Sequence, residues 1–389
     1  MESFKHINVI SSSYSFFSIK EIKREYINVV LKTNLPLTLP KGGRKNKLEY
    51  KNMIKKEWIE KGFIDEPVQL PEGCASEAEF LKAEIRKLCQ EKDAIILAHY
   101  YTRKEIQEIA DFIGDSLALA RKAADTEAKI MVMCGVHFMA ETCKILSPEK
   151  TVIVPDLNAG CSLADSCKAE DLKKYKDEHP GYKVVSYVNT TAAVKALTDV
   201  VVTSGNAKKV IDSFPQDEKL IFGPDYNLGN YINSVTGRQM LLWQGGCHVH
   251  ERFSVEEIIK LKKEHPAAVV MAHLECKAPV LAAADVKGST ATMLTYAQEH
   301  PEVKEFIVAT ESGILHEMER TCPDRHFYPV PPEISEGSVG CSCNECEFMK
   351  MNTLRKIYHS LKNEWPQVEV DESIRVEALK PIVRMLELS

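Results

Sequence analysis

No apolar stretch in this sequence approaches the roughly 18–20 residues that carry a helix across a bilayer, so no membrane-spanning helix is expected. Twelve cysteines in 389 residues are too few for a disulfide scaffold, and they sit in unlike settings, Cys134 and Cys143 inside apolar runs and others in glycine-rich loops. That usage suits a reducing compartment, and a cytoplasmic protein is expected. The short CxxxCxxC run of radical enzymes that use S-adenosylmethionine is absent. A CxxC matched by a second CxxC, the usual spacing of a closed zinc site, is absent too. Positive charge is scarce beyond the N-terminus. Residues 1–56 hold 12 Lys/Arg against four Glu and no Asp, a balance of +8, so the remainder carries −14 to reach the total of −6. An acidic body speaks against nucleic acid as a partner.

What is present reads as a soluble, multi-domain α/β chain, with 44% hydrophobic and 27% charged residues. Residues 1–75 are expected to be a loosely ordered extension and linker, holding a short helix, IKKEWIEKGFID, and closed by Pro67 and Pro71. From Ser76, SEAEFLKAEIRKLCQEK has an N-cap serine, acidic residues in the first turn and apolar residues at helical spacing. A unit then recurs three times. AIILAHYY, VVSYVNTT and VVMAHLEC are buried-strand runs that end in polar residues, and helices follow each. The first is expected to be TRKEIQEIADFI, ahead of a Gly-Asp-Ser turn. KIMVMC, KLIFG and EFIVA start the second halves, which run on through TVIVP, MLLW and HFYPV. Alternating strands and helices imply parallel sheets covered on both faces, with ligands beyond the carboxyl ends of the strands. Three αβα domains are expected, over 76–168, 169–254 and 255–389, with the C-terminal helix a candidate to join the first. A pseudo-threefold arrangement would bring the strand ends to one centre.

Each repeat also delivers a cysteine: Cys161 in NAGCSL, Cys247 in GGCHVH and Cys346 in CSCNEC. Cys346 stands at the start of a helix near Glu347, where a lowered thiol pKa is expected. Three thiolates from three domains leave a fourth coordination position open, which fits a 4Fe–4S cluster acting as a Lewis acid better than a closed zinc site. Cys74, Cys89, Cys134, Cys143, Cys276 and Cys322 are read as packing or surface residues. Hydroxyl residues at helix starts (Ser116, Ser204, and Ser289 with Thr290) form sites for anionic groups. His99, Tyr101, Tyr187, Asn189, His250, His273 and Glu275 supply donors, acceptors and proton carriers. Glu275, beside a metal and away from water, is expected to have its pKa moved towards neutrality and to serve as general base. His250 would stand behind the metal or bind substrate, with His248 turned away. A hydro-lyase with a three-cysteine cluster and a zinc-stabilised binding module built on CSCNEC are the alternatives.

In these residues the chain resembles quinolinate synthase. The likeness runs from about residue 77 to 385 through AHYYTRKEIQEIADFIGDSLALA, GVHFMAETCKIL, YVNTTAAVKALTD, TSGNA, GCHVH, AHLEC, KGSTATML and CEFMKMNTL in order. The resemblance implies three pseudo-symmetric αβα domains and a 4Fe–4S cluster on Cys161, Cys247 and Cys346. It implies condensation of 2-iminosuccinate with dihydroxyacetone phosphate to quinolinate, phosphate and water. By the same matching, His99, Ser116, Tyr187, Asn189, Ser204, His273 and Thr290 would hold the carboxylates or phosphate, while Glu275, Tyr101 and His273 would move protons. An aspartate oxidase or dehydrogenase is the implied source of the imine. Two departures from the family's pattern stand out. Leu274 replaces a usual proline between His273 and Glu275, and CxCxxC replaces CxxCxxC, leaving open a redox role for Cys341 or Cys343.

Overall fold

A computed structural model describes residues 55–333 and 344–389. Residues 1–54, Cys341 and Cys343 therefore lie outside the described residues. Strands gather into three four-stranded parallel sheets. The first contains β1 (Ala94–His99), β2 (Phe112–Gly114), β3 (Ile130–Cys134) and β4 (Thr151–Ile153), in the order β2-β1-β3-β4. The second contains β5 (Lys183–Tyr187), β6 (Val200–Val202), β7 (Leu220–Gly223) and β8 (Leu241–Leu242), in the order β6-β5-β7-β8. The third contains β9 (Val269–His273), β10 (Val286–Gly288), β11 (Glu305–Ala309) and β12 (His326–Pro329), in the order β10-β9-β11-β12. The expected α/β class and threefold repetition are both present. Helices cover both faces, which is why β3 is buried along its whole length and β1 along most of it.

Strand register makes the repeat exact to the residue. His99 lies opposite Gly114, Tyr187 opposite Val202 and His273 opposite Gly288. Tyr187, rather than Asn189, is thus the counterpart of His99. Counted from these three residues, Ser116, Ser204 and Thr290 each follow by 17 positions, so Ser289 falls one place short of the matching set.

The stretch 102–113, expected to be one helix, is helical only over Lys104–Gln107, and Phe112–Gly114 becomes β2. An aspartate causes the break. Asp111 Oδ2 accepts the Ile96 N–H at 2.7 Å while the Asp111 N–H donates back to the Ile96 carbonyl at 3.0 Å. The same pair of bonds recurs at Asp199 with Val184 (2.8 and 2.9 Å) and at Asp285 with Val270 (2.9 and 2.9 Å). Each aspartate pins a short crossover against its central strand, so three residues of edge strand form where helix spacing alone would continue the helix.

The helix Glu77–Lys92, capped by the Ser76 hydroxyl as expected, covers one face of the first sheet together with the helix Leu354–Asn363. The last helix, Glu372–Leu388, lies chiefly on β6 and on the helix Ala192–Lys195, and touches the first repeat through the helix His137–Leu146. Of the two C-terminal helices, the one at 354–363 is therefore the one laid on the first sheet.

The repeated aspartate yields a prediction. Asp285→Ala leaves the Val270 N–H without its side-chain acceptor and should cost about 1–3 kcal/mol. Asp285→Asn, which keeps an oxygen there, should lose less. Urea midpoints compare them, and an alanine variant as resistant as the parent would remove the aspartate from this role.

Candidate active site

The carboxyl ends of the central strands meet at one cavity whose wall includes residues of all three repeats. His99, at the end of β1, and Tyr101 come from the first repeat; Tyr187, at the end of β5, and Asn189 come from the second; His273, at the end of β9, and Glu275 come from the third. Cys161, Cys247 and Cys346 line the same cavity. The expected convergence of the three cysteines is therefore observed.

Glu275 is the hub of the polar network. The Tyr187 hydroxyl donates to its Oε1 at 2.5 Å, and His250 Nδ1 lies 3.0 Å from its Oε2. His250 Nε2 meets the Thr310 hydroxyl at 2.9 Å, and Thr310 meets the Tyr101 hydroxyl at 2.7 Å. A continuous hydrogen-bonded chain thus runs from Tyr187 through Glu275, His250 and Thr310 to Tyr101. His250 Nδ1 also lies 3.2 Å from Cys247 Sγ, and its ring stacks on that of His273 at 4.7 Å.

Glu275 departs from expectation. Burial pushes its carboxyl up, but the His250 and His273 rings and the donated Tyr187 hydrogen bond outweigh burial and hold it below the usual carboxylate range. Loss of water alone would have moved it towards neutrality; the donors reverse the sign. Burial drives His99 down to about 3 and His273 down to about 4, so both imidazoles are neutral at physiological pH. Burial also pushes the Tyr101 and Tyr187 phenols well above their ordinary value.

The thiols behave likewise. Cys346 is the N-cap of the four-residue helix Glu347–Lys350, yet its pKa is pushed up to about 11, not lowered. Burial outweighs the helix-start N–H groups there. Cys161 is raised to about 12 and Cys247 well above its usual value for the same reason. Donor atoms of Cys247, His250 and Glu275 all lie within 4.8 Å of one another, a group able to hold a metal ion. Cys276, which abuts Glu275, is buried in the third repeat's core, with its thiol directed at the Ala309 carbonyl.

The helix starts are arranged differently from the simple expectation of capping hydroxyls. Ser116 is the first residue of the helix Ser116–Asp125, and Asp115 does the capping, accepting the Ala118 N–H at 2.9 Å. Ser204 lies in the turn before the helix Ala207–Asp212, where Asn206 Oδ1 accepts the Thr203 N–H at 2.6 Å. Thr290 opens the helix Thr290–Glu299, and Ser289 caps it by accepting the Thr292 N–H at 3.2 Å. Ser116, Ser204 and Thr290 line the cavity, whereas Ser289 is occupied as a cap and borders a separate groove. Asn189 presents a buried Oδ1 with no hydrogen-bond partner. His248, expected to turn away, forms part of the cavity wall. Its Nδ1 lies 3.0 Å from the Ser162 hydroxyl and its ring meets Phe348 edge-on.

Sequence reading did not single out Thr310, Glu311 or Lys350. Glu311 accepts the Cys346 N–H at 3.0 Å and pairs with Lys350 Nζ at 2.9 Å. Lys350 also donates to the Tyr101 carbonyl at 2.7 Å. A signal existed for Glu311: it stands two residues beyond the end of β11, as Glu275 stands two beyond β9.

A family model described as "Quinolinate synthetase A protein" matches residues 83–387. The chain is 52% identical over 309 residues to the quinolinate synthase of Nostoc sp., covering 79% of this chain and 94% of that relative. It is 49% identical over 319 residues to the quinolinate synthase of Microcystis aeruginosa, covering 82% and 98%. Against the quinolinate synthase of Chloroherpeton thalassium it is 51% identical over 306 residues, covering 79% and 94%.

Keeping His99 neutral sets a pH dependence. Its pKa falls from 6.5 to about 3 on folding, so between those values the unfolded chain holds more protons and stability rises with pH. The contribution is present above about pH 6.5 and lost as the pH falls towards 3. Melting temperature should drop across this window, and less steeply in His99→Gln than in the parent. Parallel curves would remove His99 as a cause.

Proposed function

Because the chain belongs to the quinolinate synthase family, we propose that it condenses 2-iminosuccinate with dihydroxyacetone phosphate to quinolinate, releasing phosphate and water. The observation that carries this reading is one cavity that collects a thiol, a strand-end hydrogen-bonding side chain and a hydroxyl from each of three repeats. Such a wall suits a small substrate with several anionic groups.

Cys161, Cys247 and Cys346 would hold the 4Fe–4S cluster. The fit follows from the donor set: three half-buried thiols, each raised by desolvation, need an adjacent cationic centre to become thiolates, and sulfur donors favour iron–sulfur chemistry. When bound, the cluster supplies a Lewis-acidic iron that improves a hydroxyl as a leaving group. The Cys247, His250 and Glu275 group would also suit a single ion such as zinc. Near four irons and four sulfides per chain after anaerobic purification would separate the two.

The chain's own residues supply binding and proton transfer. Ser116 and Thr290, which open their helices, and Ser204, in the turn before Ala207, hold anionic groups, with His99, His273 and the Asn189 carboxamide completing their hydrogen bonds. Ionised Glu275 takes a proton from substrate during isomerisation. His250, Thr310 and Tyr101 offer that proton a way along the wall, and Tyr187 holds the carboxylate in place. The imine is the oxidation product of aspartate, so an aspartate oxidase or dehydrogenase is the partner reaction, and the cytoplasm is the compartment proposed. No helix among the described residues is long and apolar enough to cross a membrane.

Anaerobically reconstituted protein given both substrates should form quinolinate; turnover without dihydroxyacetone phosphate would instead point to a simple hydro-lyase. Cys161→Ala and Cys247→Ala should lose the cluster, and full iron retention would count against the ligand set. Glu275→Gln should keep the iron while slowing quinolinate formation by roughly 10²–10⁴-fold, the usual worth of a positioned base. Unchanged turnover would remove Glu275 from its role.

A further inference from the structure

Lys195, the last residue of the helix Ala192–Lys195, is fully buried (0% exposed) and ranks with Phe222 among the largest such side chains. Its ammonium donates to the carbonyls of Val188 (2.8 Å) and Thr190, the residues on either side of Asn189. It also stands over the Phe138 ring, 5.4 Å from its centre, and Phe138 and Asn189 both line the active-site cavity. Among the described residues no carboxylate oxygen pairs directly with this cation; the nearby Glu141 spends an oxygen on the Ala192 N–H at 2.9 Å. An unpaired buried charge is costly, and desolvation pulls the lysine down to about 8.

The repeat contains its own control. Gln107 stands eight positions after His99, as Lys195 stands eight after Tyr187. The Gln107 amide donates to the carbonyls of Tyr100 (2.9 Å) and Thr102 (3.0 Å), the counterparts of Val188 and Thr190. A neutral amide therefore suffices to hold this loop, and the lysine adds only charge. We propose that Lys195 is the positioning residue of the Asn189 carboxylate site, a buried cation whose counter-ion is the bound substrate. Holding two carbonyls on one side aims the opposite ends of those trans peptides, the N–H groups of Asn189 and Thr191, away from the lysine. Charge and peptide dipoles then act together on one anionic group. The inference rests on the functional reading above, in which the cavity holds a dicarboxylate.

The test compares reconstituted full-length wild type with Lys195→Gln, which copies the first repeat, and measures quinolinate affinity by calorimetry beside iron content and melting temperature. Lys195→Gln should keep its fold and iron and bind quinolinate roughly ten-fold more weakly, as expected for removing one partly screened charge. Affinity within two-fold of wild type overturns the proposal. So does a Lys195→Gln protein that melts early or loses iron, because the lysine would then be a structural clamp. Wild-type protein that neither binds nor forms quinolinate would overturn the functional reading instead.

Discussion

A carboxylate sealed from water must be met by donors, and Glu275, in the third repeat, is met by donors from the second. Tyr187 reaches it from the end of β5, His250 from the loop beyond β8, and Thr310 continues the chain from the end of β11 to Tyr101 beyond β1. Removing one partner of such a buried group costs about 3–5 kcal/mol, because the charge left behind has no water to turn to. The three sheets are therefore held to one mutual arrangement at their carboxyl ends, where parallel strands already gather ligands. The interaction that fixes the fold's centre is the one from which proton transfer would be built.

A second buried carboxylate does the same for the third thiol. Burial raises Glu311, while Lys350 and the backbone N–H groups of Cys346 and Gly313 stabilise its charged form. Lys350 extends the tie to the Tyr101 carbonyl, and Gln107 ties Gly313 to the loop after β1. Cys346 thus rests on two polar links to the first repeat as well as on its own short helix. Its place on the cavity wall depends on the repeats being docked, which is why a helix-start environment alone misjudged the thiol.

Much of this was legible in the chain. Continuous apolar runs ending in polar residues identified the central strands, and their recurrence with a cysteine after each identified the centre. The three-residue edge strands were not legible, because VKG and FIG have no periodicity to distinguish them from helix. What makes them strands is the hydrogen bond that the Asp111, Asp199 or Asp285 carboxylate accepts from a central-strand N–H 15 residues earlier. Ser289 and Thr290 could not be separated until β9–β10 register showed which one matches Ser116. Glu275 lines the cavity, but its charge was not legible: burial is visible in a sequence, whereas donors arriving from Tyr187 and His250 are not. Thr310 went unread because nothing local distinguishes a threonine that bridges two distant rings.

The repeats also show where symmetry has been given up. Eight positions beyond the strand ends stand Gln107, Lys195 and Leu281, an amide, a cation and an apolar side chain. Leu281 has no donor to offer, so the loop after β9 keeps only the turn bonds that the first repeat also has, where the Thr102 N–H reaches the His99 carbonyl at 3.0 Å and the Tyr101 N–H reaches His99 Nδ1 at 3.2 Å. The Cys276 N–H bonds back to the His273 carbonyl at 3.0 Å, the Glu275 N–H reaches His273 Nδ1 at 3.3 Å, and Leu274 is buried in the largest core cluster. A proline at that position would stiffen the loop through its ring; leucine does so by burial, worth about 1.5–3 kcal/mol for a side chain taken fully from water. His273 and Glu275 keep their places because each neighbour of Leu274 is separately tied. The one repeat without a polar clamp is thus the repeat that carries Glu275, the charged residue on which Tyr187 and His250 converge.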